Sequence, residues 1–301
     1  MIIVSGASGF LGSAIASISP DDTLGLLRKA NSKYSFSQYE LDLLDEVGVD
    51  AFINEQKKLK TKFTSFVHSA AVTPWSENPD FSTDIVMAKQ VKKICEQLNI
   101  GQLYFISGWV VYDYTASTPY DEDSTPSNPS TPYGTSKKAV EDYFLGEHMT
   151  CKVINLRLAS IYGPGQNTPG LIPNLTKKAL AGHNIELNAK TTKRDYLFIN
   201  DFVQMMKKLL VMRFTTSEII NLGSGKGVSV EEVASIIVSS AKILTDANRE
   251  LAFSATLQEA IPPDNTLSIN KAKNLGIIDK TTDIQEGIKQ YLKWVKHEDR
   301  L

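Results

Sequence analysis

Of the eleven tyrosines in the chain, only Tyr133 has a lysine four residues on, in Pro132-Tyr133-Gly134-Thr135-Ser136-Lys137. On a helix, positions i and i+4 share a face, so a phenol and an ammonium group would lie side by side. A nearby cation stabilises a phenolate and lowers the pKa of the phenol. A tyrosine tuned in that way can act as general acid or base on an alcohol/carbonyl pair near neutral pH. Taken alone, the pair also reads as a solvated contact at the start of a helix. A second motif adds weight to the chemical reading. The apolar run Ile2-Ile3-Val4 leads into Gly6-Ala7-Ser8-Gly9-Phe10-Leu11-Gly12, with three glycines spaced three apart. Glycine lets a pyrophosphate approach the main chain, and the free N–H groups of a helix start attract it. The spacing differs from the G-x-G-x-x-G fingerprint, and a plain strand–turn–helix stays open. Its place on the first strand favours a dinucleotide cofactor.

The elements that must carry these groups follow from the apolar pattern. Strands are expected at Leu24–Leu27, Ser65–His68, Leu103–Ser107, Lys152–Leu156 and Ile219–Leu222. Helices are expected at Ile85–Leu98, Lys137–Leu145, Leu171–Ala181 and Val230–Leu244. Strands alternating with helices imply an α/β fold with a parallel sheet covered on both faces. Gly163 to Gly170 reads as a loop. So does Thr115–Pro132, with its four prolines, and a loop of that length is more often functional than idle.

Composition narrows the function classes. With 301 residues, 42% hydrophobic and 22% charged, the chain can bury a large core and form two lobes. A net charge of −2 gives no electrostatic reason for nucleic acid or an anionic membrane as partner. No apolar run approaches the ~20 residues of a membrane span, and the fold pattern that starts at Met1 leaves no signal peptide in view. Cys95 and Cys151 are far apart in sequence, which suits a reducing cytoplasm. His68, His148, His183 and His297 are scattered, which argues against a metal site.

Six segments, in order, resemble an extended short-chain dehydrogenase/reductase of the NAD-dependent epimerase/dehydratase type. They are residues 6–12; His68-Ser69-Ala70-Ala71; Tyr133 with Lys137; Leu156-Arg157-Leu158-Ala159-Ser160-Ile161-Tyr162-Gly163-Pro164-Gly165; Arg194-Asp195-Tyr196-Leu197-Phe198-Ile199-Asn200-Asp201; and Asn221-Leu222-Gly223-Ser224-Gly225. The resemblance implies a Rossmann-type doubly wound parallel sheet with a smaller C-terminal substrate-binding lobe. The dinucleotide domain would be 1–165, with 195–225 returning to it, and the substrate lobe would be 166–194 and 226–301. Tyr133 would carry the proton, with Lys137 tuning it and binding the nicotinamide ribose. Gly6, Gly9 and Gly12 would hold the cofactor's pyrophosphate, with Ser8 beside them and Phe10 and Leu11 entering the helix as further cofactor-binding residues. Asp42 would lie near the adenine, and Ala70 and Ala71 would line the dinucleotide path. Trp109, Ser160 and Arg194 would face the substrate, a nucleotide sugar. Arg194 could bind its diphosphate bidentately or pair with Asp195.

The chain also departs from this family. Gly108 stands where the family carries Ser or Thr, so the missing hydroxyl would be replaced by Ser107, by a substrate hydroxyl or by water. Trp109-Val110 replaces the acidic pair of the sugar dehydratases, and Ile261 replaces an arginine that often binds diphosphate. Leu26-Leu27-Arg28-Lys29 ends the second strand without a carboxylate. Arg28 could accept a 2′-phosphate, which favours NADP over NAD; it could also stack on adenine or face solvent. The expected reaction is reduction of a 4-keto sugar nucleotide with Tyr133 as general acid. The alternatives are a 4-epimerase with tightly held NAD, and a cofactor-binding regulatory protein without catalysis. The family's helical dimer interface implies a homodimer, with Val86, Val91, Ile94, Ala139 and Phe144 as its apolar surface.

Overall fold

Three branched apolar residues open β1 (Ile2–Ser5) in the computed structural model, which describes residues 1–146, 149–245, 250–254, 258 and 261–297. His148 and several stretches of the expected C-terminal lobe thus lie outside the described residues. The chain continues through α1 (Phe10–Ala16), β2 (Thr23–Leu27), β3 (Ser37–Glu40), α2 (Glu46–Leu59), β4 (Ser65–His68), α3 (Thr83–Gln97), β5 (Gln102–Gly108), α4 (Pro132–Gly146) and β6 (Lys152–Leu158). It goes on through β7 (Ser160–Tyr162), α5 (Leu171–Leu180), β8 (Ile185–Leu187), β9 (Lys193–Phe198), α6 (Ile199–Val211) and β10 (Glu218–Leu222). The last described elements are β11 (Gly227–Ser229), α7 (Val230–Thr245), β12 (Leu251–Phe253), α8 (Asn270–Asn274) and α9 (Ile284–His297).

Seven strands form one sheet in the order β10-β6-β5-β4-β1-β2-β3. β1 runs parallel to β2 and β4, β2 to β3, and β4 to β5. Strand order reverses between β1 and β4, and at such a switch point the strand ends leave a crevice for a ligand. The fold is therefore the doubly wound α/β sheet that the sequence predicts. Its core is built from Ile3, Phe66, Leu103, Phe105 and Val153 of the strands with Val140 and Phe144 of α4, all buried. Burying a side chain of that size contributes ~1.5–3 kcal/mol.

The chain divides into two compact units. The first comprises Met1–Asp113, Pro126–Arg157 and Met206–Ile220; the second comprises Tyr114–Thr125, Leu158–Met205 and Asn221–Leu301. The second unit contains a three-stranded sheet, β11-β9-β7, and the parallel pair β12-β8.

Several elements differ from the sequence reading. β3 and α2 were not among the expected elements. β3 is a polar edge strand, Ser-Gln-Tyr-Glu, without a buried row to mark it. α4 begins at Pro132, five residues before the expected start. Thr131 caps it: its Oγ accepts from the Gly134 amide at 3.0 Å and its carbonyl accepts from the Thr135 amide at 2.8 Å. A threonine cap followed by proline in the first turn is a strong helix start. Cys95 on α3 and Cys151 before β6 are both buried in the same core cluster, and burial pushes the Cys95 thiol up. Val91, Ile94 and Phe144 are buried against the sheet and offer no outer surface, whereas Val86 and Ala139 are exposed.

Candidate active site

The glycine motif makes a tight turn at the switch point. The Gly9 amide donates to the Gly6 carbonyl at 2.9 Å, and α1 begins at once. Gly6 has φ +66°, a conformation other residues rarely adopt. A Cβ there would lie 2.7 Å from the Ala70 amide nitrogen, so β1 and the end of β4 approach as closely as backbone allows. This brings Gly6, Ala70 and Ala71 to one edge of the sheet. Gly12 is buried, Phe10 and Leu11 are half-buried, and Ser8 is exposed, its carbonyl accepting from the Tyr34 hydroxyl at 3.0 Å. The N-cap, Gly9, makes no side-chain bond to the helix. A bare glycine turn against a second strand end fits the pyrophosphate of a dinucleotide. Arg28 follows β2 and is exposed. Asp42 follows β3, is exposed, and accepts from the Leu44 amide at 3.0 Å.

The capped start of α4 places Tyr133 in its first turn and Lys137 one turn later. Tyr133 is half-buried; Lys137 is buried. The Lys137 ammonium donates to the Ile106 carbonyl on β5 at 2.9 Å and lies 5.0 Å from the centre of the Phe105 ring and 5.8 Å from that of Tyr133. Gly134 lets this turn press on the chain after β5, since a Cβ there would lie 2.4 Å from the Val110 carbonyl oxygen.

The electrostatics correct one expectation. Lys137 does not pull the phenol down. Burial, with the carboxylate of Asp84 adding to it, pushes Tyr133 up to about 12. Burial lowers Lys137 to about 8, against the opposing pull of Asp84 and Glu141. His68, buried under Phe105 and Phe144 with its Nδ1 bonded to the Ser5 hydroxyl at 2.8 Å, is lowered to about 3 and stays neutral.

Three residues that sequence reasoning left without a role join this site. Asp84, buried on α3, accepts from the Val72 amide at 2.8 Å and from the Ser136 hydroxyl at 2.6 Å. Glu141 continues the face of α4 that carries Tyr133 and Lys137. It meets Arg157 of β6 in a buried pair, with Nε 3.1 Å and 3.3 Å from the two carboxylate oxygens and Nη2 at 2.7 Å. The Tyr112 ring covers the guanidinium at 4.6 Å. The spacing Tyr133, Lys137, Glu141 was a visible signal for Glu141. Nothing local marked Asp84.

Ser107 is buried, and its hydroxyl has no hydrogen-bond partner among the described residues. The Gly101 carbonyl accepts from the Lys152 amide, which sets Ser107 abreast of Arg157 in the β5–β6 ladder. Gly108 is extended, with φ −161° and ψ 167°, so β5 makes no sharp turn there and Ser107 keeps to the Phe105 face. Trp109 opens a short 3-10 turn, Trp109–Val111, and is half-buried.

In the second unit, Ser160 on β7 pairs in register with Tyr196 on β9. The Arg194 guanidinium donates to the carbonyls of Lys193 at 2.6 Å and Pro262 at 2.9 Å. Asp195 points to the other face of β9 and does not pair with it. Its carboxylate accepts from Ser224 N at 2.8 Å, Ser224 Oγ at 2.7 Å, Gly225 N at 3.0 Å and Leu267 N at 3.3 Å. Among the described residues, no group of three or more His, Cys, Asp or Glu is placed to hold a metal ion, and no helix is long and apolar enough to cross a membrane.

Comparison with known proteins adds to this geometry. Residues 2–223 match the model of the NAD dependent epimerase/dehydratase family. The chain is 27% identical to a putative UDP-glucose 4-epimerase of Methanocaldococcus jannaschii over the full length of both. It is 31% identical to the dTDP-4-dehydro-6-deoxyglucose reductase of Escherichia coli, over 48% of this chain and 45% of that one. Its fold matches that of a Thermus thermophilus UDP-glucose 4-epimerase solved with NAD, with TM-score 0.81, 23% identity and 98% of each chain covered.

Proposed function

Because the chain belongs to the NAD dependent epimerase/dehydratase family of enzymes, we propose that it is a nucleotide-sugar 4-epimerase, with a UDP-hexose or UDP-hexuronate as substrate and NAD as cofactor. The observation that carries this reading is the Tyr133–Lys137 pair, Tyr133 half-buried and Lys137 buried against β5 through its bond to the Ile106 carbonyl. The full-length likeness to a 4-epimerase supports it over the expected 4-keto reductase, whose relative matches under half of the chain. The bare turn of Gly6, Gly9 and Gly12 would hold the pyrophosphate, and Lys137 would reach the nicotinamide ribose. When bound, NAD would supply reversible hydride acceptance at the sugar's carbon 4. Tyr133 takes the proton of the 4-hydroxyl as that carbon is oxidised and returns a proton when it is reduced. Ser107 is the unpaired hydroxyl nearest in sequence to the family's serine position and is our candidate for holding the carbonyl oxygen. We assign substrate binding to the second unit through Ser160 and Arg194, and to Trp109 of the first. The family description favours NAD over the NADP that Arg28 suggested. Exposed Val86 and Ala139 on α3 and α4 support a homodimer through these helices, which light scattering would test; a monomer at all micromolar concentrations would exclude it.

The test is direct. Protein incubated with NAD and UDP-glucose, or with UDP-glucuronate, should give the 4-epimer by proton NMR with no net change in nicotinamide absorbance. Stoichiometric consumption of NADPH by a 4-keto sugar nucleotide, without epimerisation, would favour the reductase.

A further inference from the structure

Two elements from distant parts of the sequence converge on the first turn of α4. Phe81, just before α3, lies against Tyr133 with ring centres 6.0 Å apart. Its carbonyl accepts from the Ser136 hydroxyl at 3.2 Å, and the same hydroxyl bonds Asp84 at 2.6 Å. The other carboxylate oxygen of Asp84 takes the Val72 amide at 2.8 Å, in the loop that leaves β4. Asp84 is 4% exposed, so its charge acts with little screening.

We propose that Asp84 is a positioning residue for the reaction: its carboxylate ties the β4 loop to Ser136, fixes the turn that carries Tyr133, and sets a negative charge that opposes ionisation of the Tyr133 phenol. The inference rests on Tyr133 being the proton carrier of the proposed epimerase. The charged and titratable groups around it are Lys137 and Glu141 from α4, His68 from β4 and Arg157 from β6. His68 is neutral and Glu141 is taken up by Arg157. That leaves Asp84 as the charge that opposes ionisation of the phenol, with the Lys137 ammonium 5.8 Å from the ring centre. Asp84 also favours the Lys137 ammonium. A carboxylate at this place therefore sets how readily Tyr133 yields and takes back a proton in the two halves of the reaction.

The test uses full-length protein labelled with [13Cζ]tyrosine, the Tyr133 signal being the one lost in Tyr133→Phe. Asp84→Asn removes the charge and keeps an oxygen for the Val72 amide. The pH at which the Tyr133 signal begins to move should fall by about one pH unit. Ser136→Ala cuts the tie but leaves the charge, and should move it much less. The acidic limb of the pH profile for UDP-glucose turnover should shift in the same direction in Asp84→Asn. If that variant does not fold, Asp84→Ser makes the same comparison. A folded, uncharged variant whose Tyr133 titration and pH profile match the parent would overturn the proposal. Full activity of Tyr133→Phe would instead sink the epimerase mechanism, a separate result read on a separate variant.

Discussion

Asp84 and Asp195 are both buried carboxylates, one in each unit, and their partners differ in kind. Asp195 is saturated by neutral donors from two loops, three backbone amides and one hydroxyl. No titratable group competes for it, so its work is to hold the turn at Ser224 and the segment at Leu267 against β9. Asp84 has two donors among the described residues, the Val72 amide and the Ser136 hydroxyl, and its charge reaches a phenol and an ammonium. A buried carboxylate closed off by amides acts as scaffold. One left facing groups that exchange protons takes part in chemistry.

The largest expected effect falls on the chemical side. Tyr133→Phe removes the proton and keeps the ring, so turnover should drop by ~10²–10⁴-fold, with the melting temperature nearly unchanged. Turnover within a few-fold of the parent would erase the contrast. Asp195→Asn should do the reverse. It turns an NH2 group toward two buried N–H donors, and urea unfolding should report a loss of roughly 2–5 kcal/mol. A stable but inactive Asp195→Asn would move that residue into the chemistry.

Lys137 sharpens the comparison through pH. Its pKa is about 8 in the folded protein and near 10.5 in the unfolded chain. Between those values the unfolded state binds more protons, so stability rises with pH across the window. Relative to Lys137→Met, the parent should gain up to roughly 3 kcal/mol between pH 8 and 10.5. A flat difference would mean that the ammonium is not buried in solution. The smallest effect is expected at Arg28, exposed after β2. NADH should bind at least as tightly as NADPH, and Arg28→Ala should change their ratio by less than about tenfold. A strong preference for NADPH that Arg28→Ala abolishes would restore the expectation drawn from the sequence.

Elements with a buried row were legible in the sequence. β1, β2, β4 and β5 carry continuous apolar runs, because a parallel strand is buried on both faces. β3 was not, being a polar edge. α2 was legible in principle: Val49, Phe52, Ile53 and Gln56 repeat at helical spacing and are buried, but the charged residues between them dilute the pattern. The start of α4 was written in Thr131-Pro132, a cap rather than an apolar signal. At the site, Tyr133 and Lys137 could be read from their local spacing. Asp84 and Ser136, and likewise Cys95 and Cys151, come together only through the order of strands in the sheet, which a linear pattern does not encode. The depressed phenol pKa inferred from Lys137 failed because burial of the phenol raises it, with a further push from Asp84 on another helix, and neither is visible in the local spacing.

The Glu141–Arg157 pair also limits how this sequence can change. Two charges out of water tolerate each other only because each neutralises the other, and removing one strands its partner at a cost of about 3–5 kcal/mol. A domain with ~5–15 kcal/mol in hand survives few such losses. Replacing both by apolar side chains of similar volume could be neutral or even stabilising. The two positions, sixteen apart in sequence, are thus free to vary as a couple and nearly frozen as individuals. A lineage that has lost one would have to replace the other almost at once, and random single substitutions would seldom find the way out.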